Sequence, residues 1–221
     1  MSQKFEAYAA GPRKIILAAE ALIAVRGYEG TSQREILRAA GQANKSAIRH
    51  HFGSKEGLVQ TIFVLRQAQI DEYRRRRLAQ TVIADCDSDA LMGLMLLPVL
   101  DAFHGDARET FANFTLQLML SMPDTPIFQM TNEPPVTREI RLALRASHAT
   151  LPDDVFTMRF ALAVSLFLQG IVQHERLSRS PHSGYVSTPY FWDELFGAAV
   201  AIFNREFPPL RAALVPREIL P

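Results

Sequence analysis

The sequence predicts an all-α protein, with a small N-terminal three-helix unit followed by a larger helical body. Apolar residues recur at three- and four-residue spacing along most of the chain, and no segment alternates apolar and polar residues over strand length. Glycine or proline punctuates the periodic runs. With 221 residues and 48% hydrophobic content, the chain is long enough to bury a sizeable core.

The first helix is predicted from about Arg13 to Arg26, with Ile15, Ile16, Ala19, Leu22 and Ile23 on one face and Gly27 as its stop. Thr31 or Ser32 starts the second. Ser32 and Glu35 have the spacing of a capping box, Ile36, Leu37 and Ala40 form the apolar side, and Gly41 ends it. Asn44 is the expected N-cap of a short third helix running to about His51, before Gly53. Ser54 caps a fourth, carrying Leu58, Ile62 and Leu65 toward the run Arg74–Arg77. Further helices are predicted near 88–103, 106–121, 135–149, 153–179 and 189–205. Pro189 suits a first helical position, where no N–H is needed. Residues 208–221 hold four prolines and read as an extended tail.

No uninterrupted apolar run approaches the roughly 20 residues of a membrane-spanning helix. The stretch Ala90–Phe103 is broken by Pro98 and Asp101 and reads as core. The N-terminus lacks a charged-then-apolar signal pattern, and Cys86 alone allows no intrachain disulfide. The cytoplasm is the expected compartment. Residues 1–86 hold 14 Lys/Arg and 8 Asp/Glu, a charge of +6, while the remainder hold 10 and 15, a charge of −5. A basic end on an acidic body points to contact with a polyanion.

Two short helices joined by a glycine turn and packed on a third form a helix-turn-helix. In the segment Asn44–Phe52, Ile48 and Phe52 face inward, while Lys45, Ser46, Arg49 and His50 project outward. Such a basic, hydrogen-bonding face matches the acceptor-rich guanine edges of a major groove. Ala47 is grouped with this reading helix. Lys55 at the start of the fourth helix, and Thr31, Ser32 and Gln33 at the start of the second, are candidate phosphate contacts.

From Arg13 to Leu58 the sequence resembles the N-terminal domain of TetR-family regulators. The resemblance rests on Arg26-Gly27-Tyr28, Thr31-Ser32, Arg34-Glu35-Ile36, Ala40-Gly41 and His51-Phe52-Gly53-Ser54-Lys55-Glu56-Gly57-Leu58, without a gap. Ile48-Arg49 replaces the family's usual leucine–tyrosine pair, and Ser46 stands where a glycine or another small residue is common. The resemblance implies a DNA-binding domain, placed over residues 1–54, and an all-helical ligand-binding and dimerisation body, placed over 55–207, while proline content sets apart the tail, 208–221.

It also implies a homodimer bound to a double-stranded palindromic operator and released by a small, mainly apolar effector. Phe160, Val164 and Ile171 on one late helix, with Phe191, Leu195, Ala199 and Ile202 on the next, are the expected dimer interface, with intramolecular core as the alternative reading of the same stripes. A Phe- and Met-rich middle region suits an adaptable pocket. Its expected lining is Phe111, Phe114, Gln117, Met122, Arg145, His148, Phe167 and His174, among helices 106–121, 135–149 and 153–179. His104 is a further polar candidate. Coupling to DNA is expected through the fourth helix.

An enzyme is the competing reading. Asp101, His104 and Asp106, or His174 and Glu175, resemble fragments of a metal site, but no second well-spaced His or Cys pair completes one. No nucleophile elbow or phosphate-cradling loop is present. No cofactor, metal or catalytic residue is predicted. Activation, or regulation without an effector, is the alternative within the regulator class.

Overall fold

The computed structural model describes residues 5–121, 133–180 and 188–206, whose regular elements are all helical. They are α1 (Ala10–Arg26), α2 (Gln33–Ala39), α3 (Ala47–Phe52), α4 (Lys55–Leu78), α5 (Ser88–Leu96), α6 (Pro98–Ala102), α7 (Gly105–Ser121), α8 (Pro135–Ser147), α9 (Asp153–Ser178) and α10 (Thr188–Asn204), with single 3₁₀ turns at Phe5–Ala7 and Ile83–Asp85.

Local signals set the N-terminal ends. Glu35 N–H donates to Ser32 Oγ while Ser32 N–H donates to Glu35 Oε2, the predicted capping box. Gly27 and Gly53 take φ of 76° and 77° at the ends of α1 and α3. Asn44 does not cap α3. Its side chain accepts from Ser46 N–H at 2.9 Å, and this local turn competes with helix, which begins only at Ala47. A Cβ on Gly57 would strike the Phe52 carbonyl oxygen, so the α3–α4 corner requires glycine there. The helix expected over 88–103 is two elements, because Pro98 has no N–H to continue α5 and instead opens α6.

Two cores form. One joins Ile15, Ile23, Ile36, Ile48 and Leu58 of α1–α4 to Phe114 and Leu118 of α7. The other joins α5–α10 around Met92, Phe111, Ile140, Phe167 and Phe203. The division therefore falls inside α4, between Leu65 and Ile70, and α7 belongs to both cores.

Helix α9 is long and apolar enough to cross a membrane, with a hydropathy of 1.8 over its most apolar window. Its surroundings are those of a core helix, packed between α7 and α10. Its Arg159 is buried and donates to the carbonyls of Phe203, Arg205 and Glu206 at the end of α10. Leu195 packs so closely on Gly170 that any side chain there would collide with it. This packing corrects the expected dimer surface. Ile171, Leu195 and Ala199 are buried within the chain, and Phe160, Val164, Phe191 and Ile202 are half-buried. The apolar stripes serve first to join α9 to α10.

Candidate DNA-binding interface and coupled cavity

The outward side of α3 and its preceding turn exposes Lys45, Ser46, Arg49, His50 and His51, while Ile48 is fully buried beneath them. Ala47 corrects the sequence reading: it is 4% exposed and faces the core, being adjacent to Ile48 on the inner side. On α2, Gln33, Arg34 and Arg38 are exposed. Arg34 and Arg38 are cations that the reading of contacts passed over, although their four-residue spacing places them on one face.

Two flanking candidates are engaged internally. Thr31 is buried, and its hydroxyl donates to Gly27 O at 2.9 Å, closing the α1–α2 turn. Lys55 Nζ donates to Tyr28 O at 2.5 Å and sits 3.8 Å from the Tyr28 ring centroid. Glu56 accepts from Tyr28 OH at 2.5 Å. That bond, with a contribution from Ser54, holds the Glu56 carboxyl down at about 2, while burial and Glu56 push the Tyr28 phenol upward. Lys55 is thus part of a clamp between the end of α1 and the start of α4. Ser32 remains exposed but is occupied in its capping box.

Residues 15–62 match the family model for bacterial regulatory proteins of the tetR family. This span runs from the buried side of α1 through α2 and α3 into α4. Residues 15–62 are a tetR-family DNA-binding domain. The chain that carries it is a DNA-binding transcriptional regulator whose helix-turn-helix comprises α2 and α3. Across the whole chain, a crystal structure of the putative transcriptional regulator SCO4942 from Streptomyces coelicolor aligns at TM-score 0.50. The identity is 17%, and the alignment covers 89% of this chain and 99% of that one, a likeness of fold. No curated protein matches.

Behind the regulator's DNA-binding domain lies a cavity of about 1380 Å³. Residues 63–76 of α4 make its long wall, with Phe111, Thr115 and Met119 of α7 and Phe160, Val164 and Phe167 of α9 opposite. The expected placement among α7, α8 and α9 is corrected in that α4 is a principal wall and α8 contributes only around Thr137. Of the expected ligand-contact residues, Phe111 and Phe167 line this cavity. Phe114 instead enters the N-terminal core. Gln117 lies at Gly27, where its Oε1 is 3.0 Å from the position of a Cβ.

The other polar candidates are structural. Arg145 binds Asp153 and the carbonyls of His148 and Leu151, closing the α8–α9 turn. His148 packs on Phe203 and contacts Asn204 at 3.1 Å. His174 lies against Phe191 and Trp192, and burial holds its pKa below the usual range. His104 is exposed beside Arg108. Met122 lies outside the described residues, as does the tail 208–221.

The carboxylates considered as metal ligands are in ion pairs: Asp101 with Arg77, Asp106 with Arg179 and Glu175 with Arg108. Among the described residues, no group of three or more His, Cys, Asp or Glu is placed to hold a metal ion. The Arg74–Arg77 run is likewise engaged. Arg74 is buried, Arg75 and Arg76 meet Glu72, and Arg77 meets Asp101.

What the sequence reading missed is Arg74 with Asp71 and Thr137, a buried polar cluster on the cavity wall. The signal was faint: Asp71 and Arg74 lie one turn apart on the side of α4 that carries Ile70.

Proposed function

We propose that this regulator is a repressor that binds a palindromic operator as a homodimer and leaves it when a small, mainly apolar molecule enters the α4–α7–α9 cavity. The carrying observation is the two-sidedness of α7. Phe111, Thr115 and Met119 line the cavity, whereas Phe114 and Leu118 pack into the core that seats the helix-turn-helix. A ligand favouring a different placement of α7 would therefore bias the orientation of α1–α3, which is the differential interaction that release requires. Helix α4 provides a second link, because it runs from the N-terminal core along the cavity wall.

A dimer supports this reading because one six-residue helix covers few base pairs and specific recognition needs two half-sites. The outward stripes available are Met158 and Leu162 of α9, 54% and 52% exposed, and Tyr190, Gly197, Ala198 and Ala201 of α10. Small residues allow close helix approach. Arg49, Lys45 and His50 are the proposed base-reading side chains, with Ser46, Gln33 and Ser32 at the phosphates. Cytoplasmic action on chromosomal DNA follows.

The test is selection of genomic fragments by the purified protein at moderate salt with nonspecific competitor, followed by sizing of the complex. A palindromic motif bound by two chains supports the proposal. Salt-sensitive binding without a motif removes it. A reporter whose expression falls on deletion of the protein would instead make it an activator.

A further inference from the structure

The cavity wall holds a cation whose counter-charge is incomplete. Arg74 is 5% exposed, and all four of its hydrogen bonds go to neutral acceptors: two to Met95 O, at 3.2 and 2.8 Å, one to Thr137 Oγ1 at 2.8 Å and a long one to Gln67 Oε1 at 3.5 Å. Asp71 reaches it only through Thr137, whose hydroxyl accepts from Arg74 and donates to Asp71 Oδ1 at 2.8 Å. Asp71 also accepts from Thr137 N–H and pairs with Arg75. Glu133 is taken by Arg141, through both carboxylate oxygens. Among the described residues, no carboxylate lies within ion-pair distance of Arg74.

A second polar group in the same wall is also unmet. Thr115 is 5% exposed, lines the cavity, and its Oγ1 has no hydrogen-bond partner among the described residues. Burying a cation without a paired anion, or a hydroxyl without an acceptor, costs free energy that a ligand can return. The walls supplied by α7 and α9 are largely apolar and aromatic, including Phe111, Phe160 and Phe167, whereas the α4 wall carries further charged and polar residues such as Arg66 and Gln67.

We infer that the cavity takes an amphipathic organic acid, its carboxylate seated on the Arg74 guanidinium and its apolar chain or ring lying among Phe111, Phe160 and Phe167. This rests on reading the cavity as the effector site. An arginine fork is suited to a carboxylate, and the charge-assisted bond strengthens away from water. Burial pulls the Arg74 pKa down to about 10 against the opposing pull of Asp71 and Glu133, so the cation persists at neutral pH with spare demand for negative charge. Because Arg74 also braces Met95 O on α5 and Thr137 on α8, an anion competing for its donors would loosen α4 from both helices.

The experiment uses the full-length protein and displacement of the neutral fluorophore N-phenylnaphthylamine by decanoate, decanol or decylamine. Decanoate should displace it at least about tenfold more effectively than the other two, and Arg74→Gln should remove that preference while still binding the fluorophore. Arg74→Lys, which keeps the cation, should leave decanoate ahead of decanol. Equal displacement by the three compounds from wild type overturns the anion inference but leaves the cavity reading intact. Decanoate preference that survives in Arg74→Gln also overturns it. Failure of wild type to bind the fluorophore or to gain thermal stability from any of the three removes the cavity reading as well. If Arg74→Gln does not fold, the wild-type comparison decides.

Discussion

Arg66 on α4 grips Glu20 on α1 through two parallel hydrogen bonds, Nε to Oε1 at 2.8 Å and Nη2 to Oε2 at 2.6 Å. Glu20 is nearly inaccessible, and the Arg66 side chain retains 18% exposure. The pair spans the junction where α4 leaves the DNA-binding domain for the cavity wall. Glu20→Ala would strand a largely desolvated guanidinium and should cost about 2–4 kcal/mol, near the lower part of the buried-pair range because Arg66 keeps some water. Urea denaturation measures this. A loss within about 0.5 kcal/mol, as at an ordinary surface site, would show that the pair is not a strut.

Arg49 and Lys55 should separate in behaviour although both are N-terminal cations. Arg49→Ala should weaken operator binding by about 1–3 kcal/mol with little change in stability, since its side chain is exposed. Lys55→Ala should lower the melting temperature through loss of the Tyr28 contacts. Fluorescence anisotropy and thermal melts of both variants, at one salt concentration, decide the matter. Unchanged affinity for Arg49→Ala would remove that residue from the interface.

The two faces of α7 predict distinct effects on α1. Phe114→Ala should cost about 3–5 kcal/mol and speed amide exchange in α1, because the ring lies in the N-terminal core. Phe111→Ala should enlarge the cavity and leave α1 protection close to that of wild type. Equal exchange in α1 for both variants would contradict this division of labour between the two faces of α7.

Acid should erase the contribution of the Tyr28–Glu56 bond. The folded-state Glu56 carboxyl lies at about 2, below its ordinary 4.5. A depressed carboxyl stabilises the fold above the ordinary value, and that stability is lost as pH falls from about 4.5 toward about 2. The stability difference between Tyr28→Phe and wild type should therefore be larger at pH 7 than at pH 2.5. Urea titrations at the two pH values test it, and equal differences would break the linkage.

Legibility followed the range of the interactions involved. The Ser32–Glu35 box, the stops at Gly27 and Gly53 and the cap at Ser54 act within a few residues, so the sequence shows them directly. Ile48 could be assigned inward and Arg49 outward because helical geometry alone separates neighbours by about 100°. Asn44 shows the limit: cap and turn use the same side-chain oxygen, and only the folded loop chose the turn.

Thus the sequence by itself determined the helical class, the helix-turn-helix and its polar outward face, through periodicity, capping and local steric rules. Tertiary structure alone decided which apolar stripes face one another, burying Leu195 on Gly170 rather than leaving it for a partner. It also decided that Phe114 serves the N-terminal core and that Arg74, outwardly one more cation in an arginine run, is sealed into a cavity wall. The physical reason is that burial and charge pairing depend on groups distant in sequence, whereas a helix face reports only which residues share a side.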